Sequence, residues 1–254
     1  MIDIHSHILP GVDDGAKTEE ESLKMARAAV DQGIHTIIAT PHHKNVHFDN
    51  EKASILKQVD ILRDLLVHED IPLTLLAGQE PRIYGEMVED LEKGELLPLN
   101  ETKYIHVEFP FRNVPHYASR LLFDIQVAGY VPVIVHPERN QELLEKPGTL
   151  YHFVQKGALT QVTAASVIGK FGKNIQKFTN QLIEANLTHF IASDAHNTST
   201  RPFYMAEAFR HVQEAFGNEL FYLFMENSQL LIENKNVNKL EPHRIKKKKF
   251  LGLF

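Results

Sequence analysis

Two histidines near the amino terminus, His5 and His7, have a spacing that suits metal binding. They lie at and just beyond the end of a short predicted strand whose alternation puts Ile2 and Ile4 on the opposite face. Being two residues apart, both imidazoles can point at one spot beyond the strand. Asp14, in the loop that follows, adds a carboxylate, and this set of ligand types suits Zn, Mn or Fe. Alone, a His-x-His pair is a weak signal.

Further ligand-type residues stand at or just after the ends of later predicted strands. Barrel enzymes build their active sites from the carboxyl ends of the strands, so we expect all of these side chains to meet at one rim. The nine candidate metal ligands are His5, His7, Asp14, His42, Glu80, Glu108, His136, Asp194 and His196. Nine ligands suffice for two or three ions that share bridging carboxylates. The alternative is a rim of solvated polar residues with scattered histidines.

Two arginines follow these motifs closely. Arg139 is three residues past His136, and Arg201 is five past His196. A guanidinium beside a metal cluster suits a phosphate or a carboxylate, so we expect both arginines to contact substrate. The alternative is a salt bridge to Glu138 or to a ligand carboxylate.

The elements that must position these residues alternate between strand and helix. Strands are predicted at residues 2–5, 35–40, 73–78, 103–109, 131–135, 159–163 and 189–192. Helices are predicted at residues 18–33, 50–68, 84–92, 115–127, 151–156, 170–185, 202–216 and 219–234. Repeated βα units imply parallel strands, and the expected α/β fold is a single-domain, closed or nearly closed TIM-like (βα)7 barrel. An open doubly wound sheet is the runner-up.

We interpret three other polar residues as parts of the structure rather than as metal ligands. Asp3 shares a face with His5 and is expected either to orient a ligand imidazole or to make an ordinary buried hydrogen bond. His106 reads as a core histidine with satisfied hydrogen bonds. His189 reads as a surface or strand-end residue.

Composition narrows the functional class. The 254 residues are 43% hydrophobic, as in ordinary globular proteins, and the net charge of -6 argues against a nucleic-acid binder. The sequence has no cysteine, which excludes a thiolate nucleophile and fits a reducing compartment. We find neither a signal-peptide pattern nor an apolar run of about 18 residues, so we expect a cytoplasmic protein.

The last residues differ from the rest of the chain. We expect a barrel domain over residues 1–238 and a separate tail over 239–254. Five of residues 244–249 are Lys or Arg, and Phe250, Leu251, Leu253 and Phe254 follow them. This juxtaposition suggests contact of residues 243–254 with the inner face of the cell membrane. A solvated, disordered end is the alternative.

Together these motifs resemble the polymerase-and-histidinol-phosphatase (PHP) superfamily. Within it, they look like the bacterial metal-dependent tyrosine-protein phosphatases of the YwqE and CpsB type. The stretches that carry the resemblance are HILPGVDDG, ATPHH, GQEPRIYGE, FPF, HPERN and SDAHN, which together span most of the chain.

The resemblance implies a distorted (βα)7 barrel, the PHP fold, with a trinuclear site that commonly holds manganese; Fe, Zn or Mg are alternatives. It implies one ion on His5, His7, Glu80 and Asp194, a second on Glu80, Glu108 and His136, and a third on Asp14, His42 and His196. It also makes Arg139 and Arg201 phosphate contacts. The implied substrate is the tyrosine-rich tail of a bacterial tyrosine kinase that controls polysaccharide synthesis.

The chemistry follows from the ligand set. A metal-activated hydroxide would attack phosphorus in line, and His42 or His196, if not fully committed to metal, could donate a proton to the leaving group. Two alternatives remain. One is a small-molecule phosphomonoesterase of the histidinol-phosphate type or, less favoured by the acidic charge, a nuclease. The other is a scaffold that binds phosphotyrosine without turnover.

Overall fold

Nine strands and ten α-helices make up residues 1–245, the part of the chain that this computed structural model describes. The strands are β1 (Ile2–Ser6), β2 (Thr36–Ala39), β3 (His42–His43), β4 (Thr74–Ala77), β5 (Glu80–Pro81), β6 (Tyr104–Val107), β7 (Val131–Val135), β8 (Leu159–Thr163) and β9 (Phe190–Ala192). The helices are α1 (Glu19–Asp31), α2 (Lys52–His68), α3 (Met87–Glu92), α4 (Ala118–Val127), α5 (Gln141–Glu145), α6 (Pro147–Gln155), α7 (Ala164–Val167), α8 (Lys173–Glu184), α9 (Met205–Phe216) and α10 (Asn218–Ile232).

The strands form two parallel arcs. One arc has the order β1-β2-β4 and the other has the order β6-β7-β8-β9, while β3 and β5 pair with each other. A bridge between Ser6 and Ala195 joins the arcs on one side. On the other side a bridge joins Arg82, just after β5, to Glu108, just after β6. A 3-10 helix, Leu99–Glu101, packs against both β4 and β6.

The predicted strands all appear, with small shifts at their ends, and two further strands join them. β3 and β5 are two residues long and pair His42 with Glu80 in parallel register. They follow β2 and β4 after short breaks at Pro41 and at Gly78, so each continues its parent strand onto the rim. The short helices α5 and α7 were not predicted, and α6 begins at Pro147 rather than at residue 151.

The first helix begins where the capping pattern predicts. The side chain of Thr18 accepts a hydrogen bond from the backbone N–H of Glu21 at 3.2 Å. The Glu21 carboxylate reaches back one residue farther than expected, accepting from the backbone N–H of Lys17 at 2.8 Å. Both bonds use donors that would lack a helical partner, so they fix the point at which the chain leaves the first ligand loop.

Apolar side chains close the amino ends of the strands. The first residues of four strands, Ile2, Tyr104, Leu159 and Phe190, belong to one buried cluster. Residues of α10 and of the segment after it complete this cluster, and the Tyr104 hydroxyl donates to the carbonyl of Lys235. Because the amino ends are filled in this way, solvent and ligands reach the strands from their carboxyl ends.

Residues 241–244 run back over the body of the protein. The backbone N–H of His243 donates to the carbonyl of Ala185, and the guanidinium of Arg244 lies 4.4 Å from the centre of the Tyr151 ring. Residues 246–254, most of the segment for which we predict membrane contact, lie outside the described residues. Among the helices described, none combines the length and the apolar character needed to cross a bilayer.

Candidate metal centre

All nine predicted ligands come from the carboxyl ends of the strands or from the loops that follow them. His5 lies in β1, His42 in β3 and Glu80 in β5. The others lie in loops after β1, β6, β7 and β9, and they are His7, Asp14, Glu108, His136, Asp194 and His196. Seven of the nine form three overlapping groups, each with all of its ligand atoms within 4.8 Å of one another: His5, His7 and Glu80; His42, Glu80 and Glu108; and His7, Asp14, His42 and His196. His136 and Asp194 belong to none of these groups but lie beside them.

The deepest group is built around two histidines and two carboxylates. Nε2 of His7 lies 3.3 Å from Nε2 of His5 and 3.4 Å from Oε2 of Glu80. Oδ1 of Asp194 is 3.3 Å from Nε2 of His7 and 3.6 Å from that of His5. All four side chains are buried. Two imidazole nitrogens and two carboxylates thus face one point.

Hydrogen bonds on the far side of the rings fix how these two histidines face the cluster. Nδ1–H of His5 donates to Oε1 of Gln161 in β8 at 2.8 Å. Nδ1–H of His7 donates to Oδ2 of Asp13 at 2.7 Å. Each bond leaves the Nε2 lone pair free for a ligand, which is how metal-binding histidines are usually held.

Glu80 is shared between two groups. Its Oε1 lies 2.9 Å from Nε2 of His136, and its Oε2 lies 2.8 Å from Nδ1 of His42. Glu108 stands at the outer edge, where both of its oxygens accept from the Arg82 guanidinium at 2.9 and 3.0 Å. The resemblance groups Glu80 and Glu108 with His136, whereas the closest set of atoms has His42 in that place.

The outermost group contains Asp14, His42 and His196. Oδ1 of Asp14 lies 3.3 Å from Nε2 of each histidine. Asp14 is 48% exposed, so this group opens toward solvent. Nδ1–H of His196 donates to the backbone carbonyl of Asp194 at 2.9 Å, which again turns Nε2 toward the cluster.

Neighbouring imidazole and guanidinium groups keep the central carboxylates ionised. Burial by itself raises the pKa of Glu80, but the His5 and His42 rings beside it hold that pKa well below the usual range. Burial likewise opposes ionisation of Asp194, and the guanidinium groups of Arg201 and Arg139 hold its pKa well below the ordinary value. Both carboxylates are therefore anionic at neutral pH.

The two predicted substrate arginines converge on Asp194. Nη2 of Arg201 donates to Oδ2 of Asp194 at 2.8 Å, and Nη1 of Arg139 donates to the same oxygen. The Arg139 guanidinium also lies 5.4 Å from the centre of the Phe171 ring. Glu138, the alternative partner, instead accepts from Thr163 and Ser166. Of the two salt bridges considered, the one to a ligand carboxylate is present.

The local backbone helps to place three of the candidate ligands, His136, Asp194 and His7. His136 has φ 34° and Asp194 has φ 51°, conformations that cost energy in residues with a side chain and that often occur at functional sites. Gly15 is required for another reason, since a Cβ there would lie 2.0 Å from the carbonyl oxygen of His7. Its backbone N–H donates to Oδ1 of Asp13 at 2.9 Å. The first loop can thus close tightly around His7.

The residues present fit a divalent cation site. Nδ1 of His42 and Oε2 of Glu80 are buried and 2.8 Å apart, yet among the described residues neither has a properly aligned hydrogen-bond partner. Nε2 of His196 is buried and unpartnered in the same sense. Polar atoms left in this way are costly unless a cation or water satisfies them. Imidazole and carboxylate donors also match Mn, Fe and Zn.

The structure places three further polar residues, and one interpretation needs correction. Asp3 makes the ordinary buried hydrogen bond that was one of its two expected roles: it accepts from the backbone N–H and hydroxyl of Ser193, tying β1 to the end of β9. His106 is buried as predicted, but within residues 1–245 neither ring nitrogen has a hydrogen-bond partner, so it is not satisfied. His189 directly precedes β9, as expected for a strand-end residue, but it is buried, and its Nδ1 accepts from the backbone N–H of Thr160 at 3.1 Å.

Sequence reasoning missed three residues that hold ligands in place: Asp13, Gln161 and Arg82. Asp13 is next to Asp14, and spacing alone cannot separate a ligand from its neighbour. Gln161 lies within a buried strand, where a polar residue facing the interior was the available signal. Arg82 is two residues past Glu80, and only the isolated bridge just beyond β5 and β6 brings it to Glu108.

Comparisons with known proteins identify related chains. The family described as "Capsular polysaccharide synthesis, CpsB/CapC" matches residues 1–233. The chain is 53% identical to tyrosine-protein phosphatase YwqE of Bacillus subtilis (strain 168), with all of both chains covered. It is 32% identical to tyrosine-protein phosphatase CpsB of Streptococcus agalactiae serotype III (strain NEM316), over 92% of this chain and 99% of that protein.

A solved structure superposes on this chain with a TM-score of 0.95. It comes from a study of YwqE from Bacillus subtilis and CpsB from Streptococcus pneumoniae, described as unique metal-dependent tyrosine phosphatases. That match has 53% identity and covers 97% of this chain and 100% of the other.

Proposed function

This chain belongs to the CpsB/CapC family of capsular polysaccharide synthesis proteins, and we propose from its site that it is a metal-dependent protein-tyrosine phosphatase. The observation that carries the assignment is the convergence of nine candidate imidazole and carboxylate ligands with two guanidinium groups at one rim. Such a site can bind a phosphoryl group and hydrolyse it. Because the sequence has no cysteine, the hydrolysis takes place without a thiolate nucleophile.

Two or three manganese ions would occupy the site, with Fe, Zn or Mg as substitutes. His5, His7, Glu80 and Asp194 would hold the first ion, and Asp14, His42 and His196 the outermost. Glu80, Glu108 and His136 would hold the remaining ion. Bound divalent ions supply an activated water nucleophile and offset negative charge on the phosphoryl oxygens.

Arg139 and Arg201 would bind the phosphoryl group. They already converge on Oδ2 of Asp194, so their guanidinium groups lie next to the ligand cluster. Donors fixed in this position stabilise charge on a transferring phosphoryl group without reorganising during the reaction. The loop after β9 supports Arg201 further, since its backbone N–H donates to the Asn197 side chain at 3.0 Å.

His42 or His196, if not fully committed to metal, would donate a proton to the leaving group. An aryl oxygen is a weak base, so this step needs little help compared with an alkoxide leaving group. His42 is the better placed of the two, since its side chain is 12% exposed and that of His196 is 2% exposed. The His42 ring also lies nearly parallel to the Phe48 ring, with ring centres 6.0 Å apart.

The substrate would be the phosphotyrosine-bearing tail of a bacterial tyrosine kinase, reached in the cytoplasm. The basic and apolar tail at residues 243–254 would bring the enzyme to the inner face of the membrane. The seven principal strands would close a distorted (βα)7 barrel over residues 1–238, a proposal supported by the Ser6–Ala195 and Arg82–Glu108 bridges.

A comparison of three substrates tests the proposal. The manganese-loaded protein is incubated with a phosphotyrosine peptide, with histidinol phosphate and with single-stranded DNA. We expect phosphate release from the peptide, and its loss in Asp194→Ala, whereas the exposed-site control Asp31→Asn keeps the wild-type rate. Preferred hydrolysis of histidinol phosphate would favour the small-molecule alternative. Peptide binding without any turnover would indicate a scaffold instead.

A further inference from the structure

A cavity of about 220 Å³ adjoins the metal centre on the side of β6 and β7. Two of the candidate ligands, Glu108 and His136, form part of its wall, and so does Arg139. A phosphoryl group held by these residues would therefore have the cavity beside it. Whatever is bonded to that phosphoryl group can extend into this space.

The rest of the wall is largely apolar. Phe109, Phe111, Val135 and Pro137 all line the cavity. Glu108, the one carboxylate in the wall, is neutralised by its two hydrogen bonds to Arg82. Pockets for drug-sized ligands usually measure about 300–1,000 Å³, so this smaller space suits a single side chain with an apolar body.

Phe111 is unusual among these residues because it is 66% exposed. Its backbone is nevertheless fixed, since its carbonyl accepts from the backbone N–H of Gln141 at 2.9 Å. Nδ2 of Asn140 also donates to the carbonyls of Pro110 and Asn113, at 2.7 and 3.1 Å. A large aromatic side chain held in solvent beside a reactive centre is poised to pack against a ligand.

We propose that this cavity is the aryl subsite of the phosphatase and that Phe111 is a specificity-determining residue that packs against the tyrosine ring of the substrate. The inference rests on the proposed function, because it assumes that the phosphoryl group lies between the ligands and Arg139. The inference adds to that function the site where the leaving group binds and the residue that favours an aromatic leaving group.

Binding of unreactive analogues tests the subsite separately from turnover. Dissociation constants of inorganic phosphate, methylphosphonate and phenylphosphonate are measured by calorimetry on the manganese-loaded protein. We expect phenylphosphonate to bind about 10-fold more tightly than methylphosphonate, a difference within reach of one aromatic contact and its buried area. Phe111→Ala and Phe111→Leu should remove most of that difference and change the affinity for phosphate less than about 2-fold.

Phe123→Ala is the matched control, because Phe123 is an exposed phenylalanine on α4 and is not part of the cavity wall. It should bind all three ligands as the wild type does. Equal affinities of the wild type for phenylphosphonate and methylphosphonate would overturn the subsite, and so would an unchanged preference in both Phe111 variants. A preference for phenylphosphonate that depends on Phe111, without any release of phosphate from the peptide, would instead refute the phosphatase assignment and leave the aryl subsite standing.

Discussion

The buried carboxylate of Asp13 accepts a hydrogen bond from Nδ1 of His7 at 2.7 Å, and its other oxygen accepts from the backbone N–H of Gly15. Asp13 is thus the residue that orients one of the deepest candidate ligands. Burial raises its pKa, but the His7 ring and its hydrogen bond lower that pKa below the ordinary value overall, so Asp13 is ionised. An ionised acceptor also makes the imidazole a stronger donor to metal.

Asp13→Asn should therefore weaken metal binding although Asp13 is not itself a predicted ligand. One of the two oxygens becomes an N–H₂ group that faces another donor, and second-sphere changes of this kind typically cost about 10–100-fold in metal affinity. Calorimetric titration of the metal-free protein with manganese measures the effect. Asp31→Asn, at the exposed end of α1, is the control. Wild-type affinity in Asp13→Asn would show that the bond does not position His7.

Gly15→Ala, which alters no polar side chain, should also weaken metal binding. In Gly15→Ala the new Cβ would lie 2.0 Å from the His7 carbonyl oxygen and 2.5 Å from the His7 Cβ, so the loop must move. We expect a loss of about 1–3 kcal/mol in the free energy of unfolding, as for other overpacked sites, together with weaker manganese binding.

Gly85→Ala is the matched control for the loop, since a Cβ at Gly85 meets nothing within 4 Å. Denaturant unfolding and metal titration of both variants make the comparison. If Gly15→Ala were as stable as Gly85→Ala and bound manganese equally well, the close approach of the loop to His7 would contribute neither to stability nor to metal binding.

His189 should make stability depend on pH. Burial lowers the pKa of His189 to about 3, below the value near 6.5 that it has in the unfolded chain. Between these values the unfolded chain binds a proton that the folded protein does not, so the free energy of unfolding falls as pH falls. From pH 6.5 to about pH 5 this amounts to roughly 2 kcal/mol.

Denaturant unfolding of the metal-free protein at about pH 7.5 and about pH 5 measures this effect. In His189→Gln the amide oxygen can still accept from Thr160, and this variant should lose less stability on acidification than the wild type by that roughly 2 kcal/mol. His68→Gln, which changes an exposed histidine, should behave as the wild type does. Parallel pH dependence in wild type and His189→Gln would contradict the prediction.

The candidate site was more predictable than its supports. His5, Glu108, His136 and Asp194 all stand at strand ends, and a parallel sheet delivers strand ends to one edge, so pattern alone brings them together. Asp13 and Gln161 carry no such positional signal. Their roles depend on ring orientation, which spacing does not encode.

The fold, too, was predictable in some parts and not in others. The strand β7 was predicted with correct ends because both of its faces are covered and its apolar run is continuous. The two-residue strands β3 and β5 were missed. Each is too short to show a period, and it forms only because His42 and Glu80 meet across the rim. The buried position of His189 likewise comes from packing between distant parts of the chain.

A titration of the metal-free protein with manganese, followed by the rate of phosphate release from a phosphotyrosine peptide, tests the central claim most directly. The three overlapping ligand groups predict no turnover after chelation, followed by a rate that rises with added manganese and levels off at two or three equivalents per chain. Full activity in the chelated protein, or a rate indifferent to added metal, would contradict the claim that this rim is a metal-dependent phosphatase site.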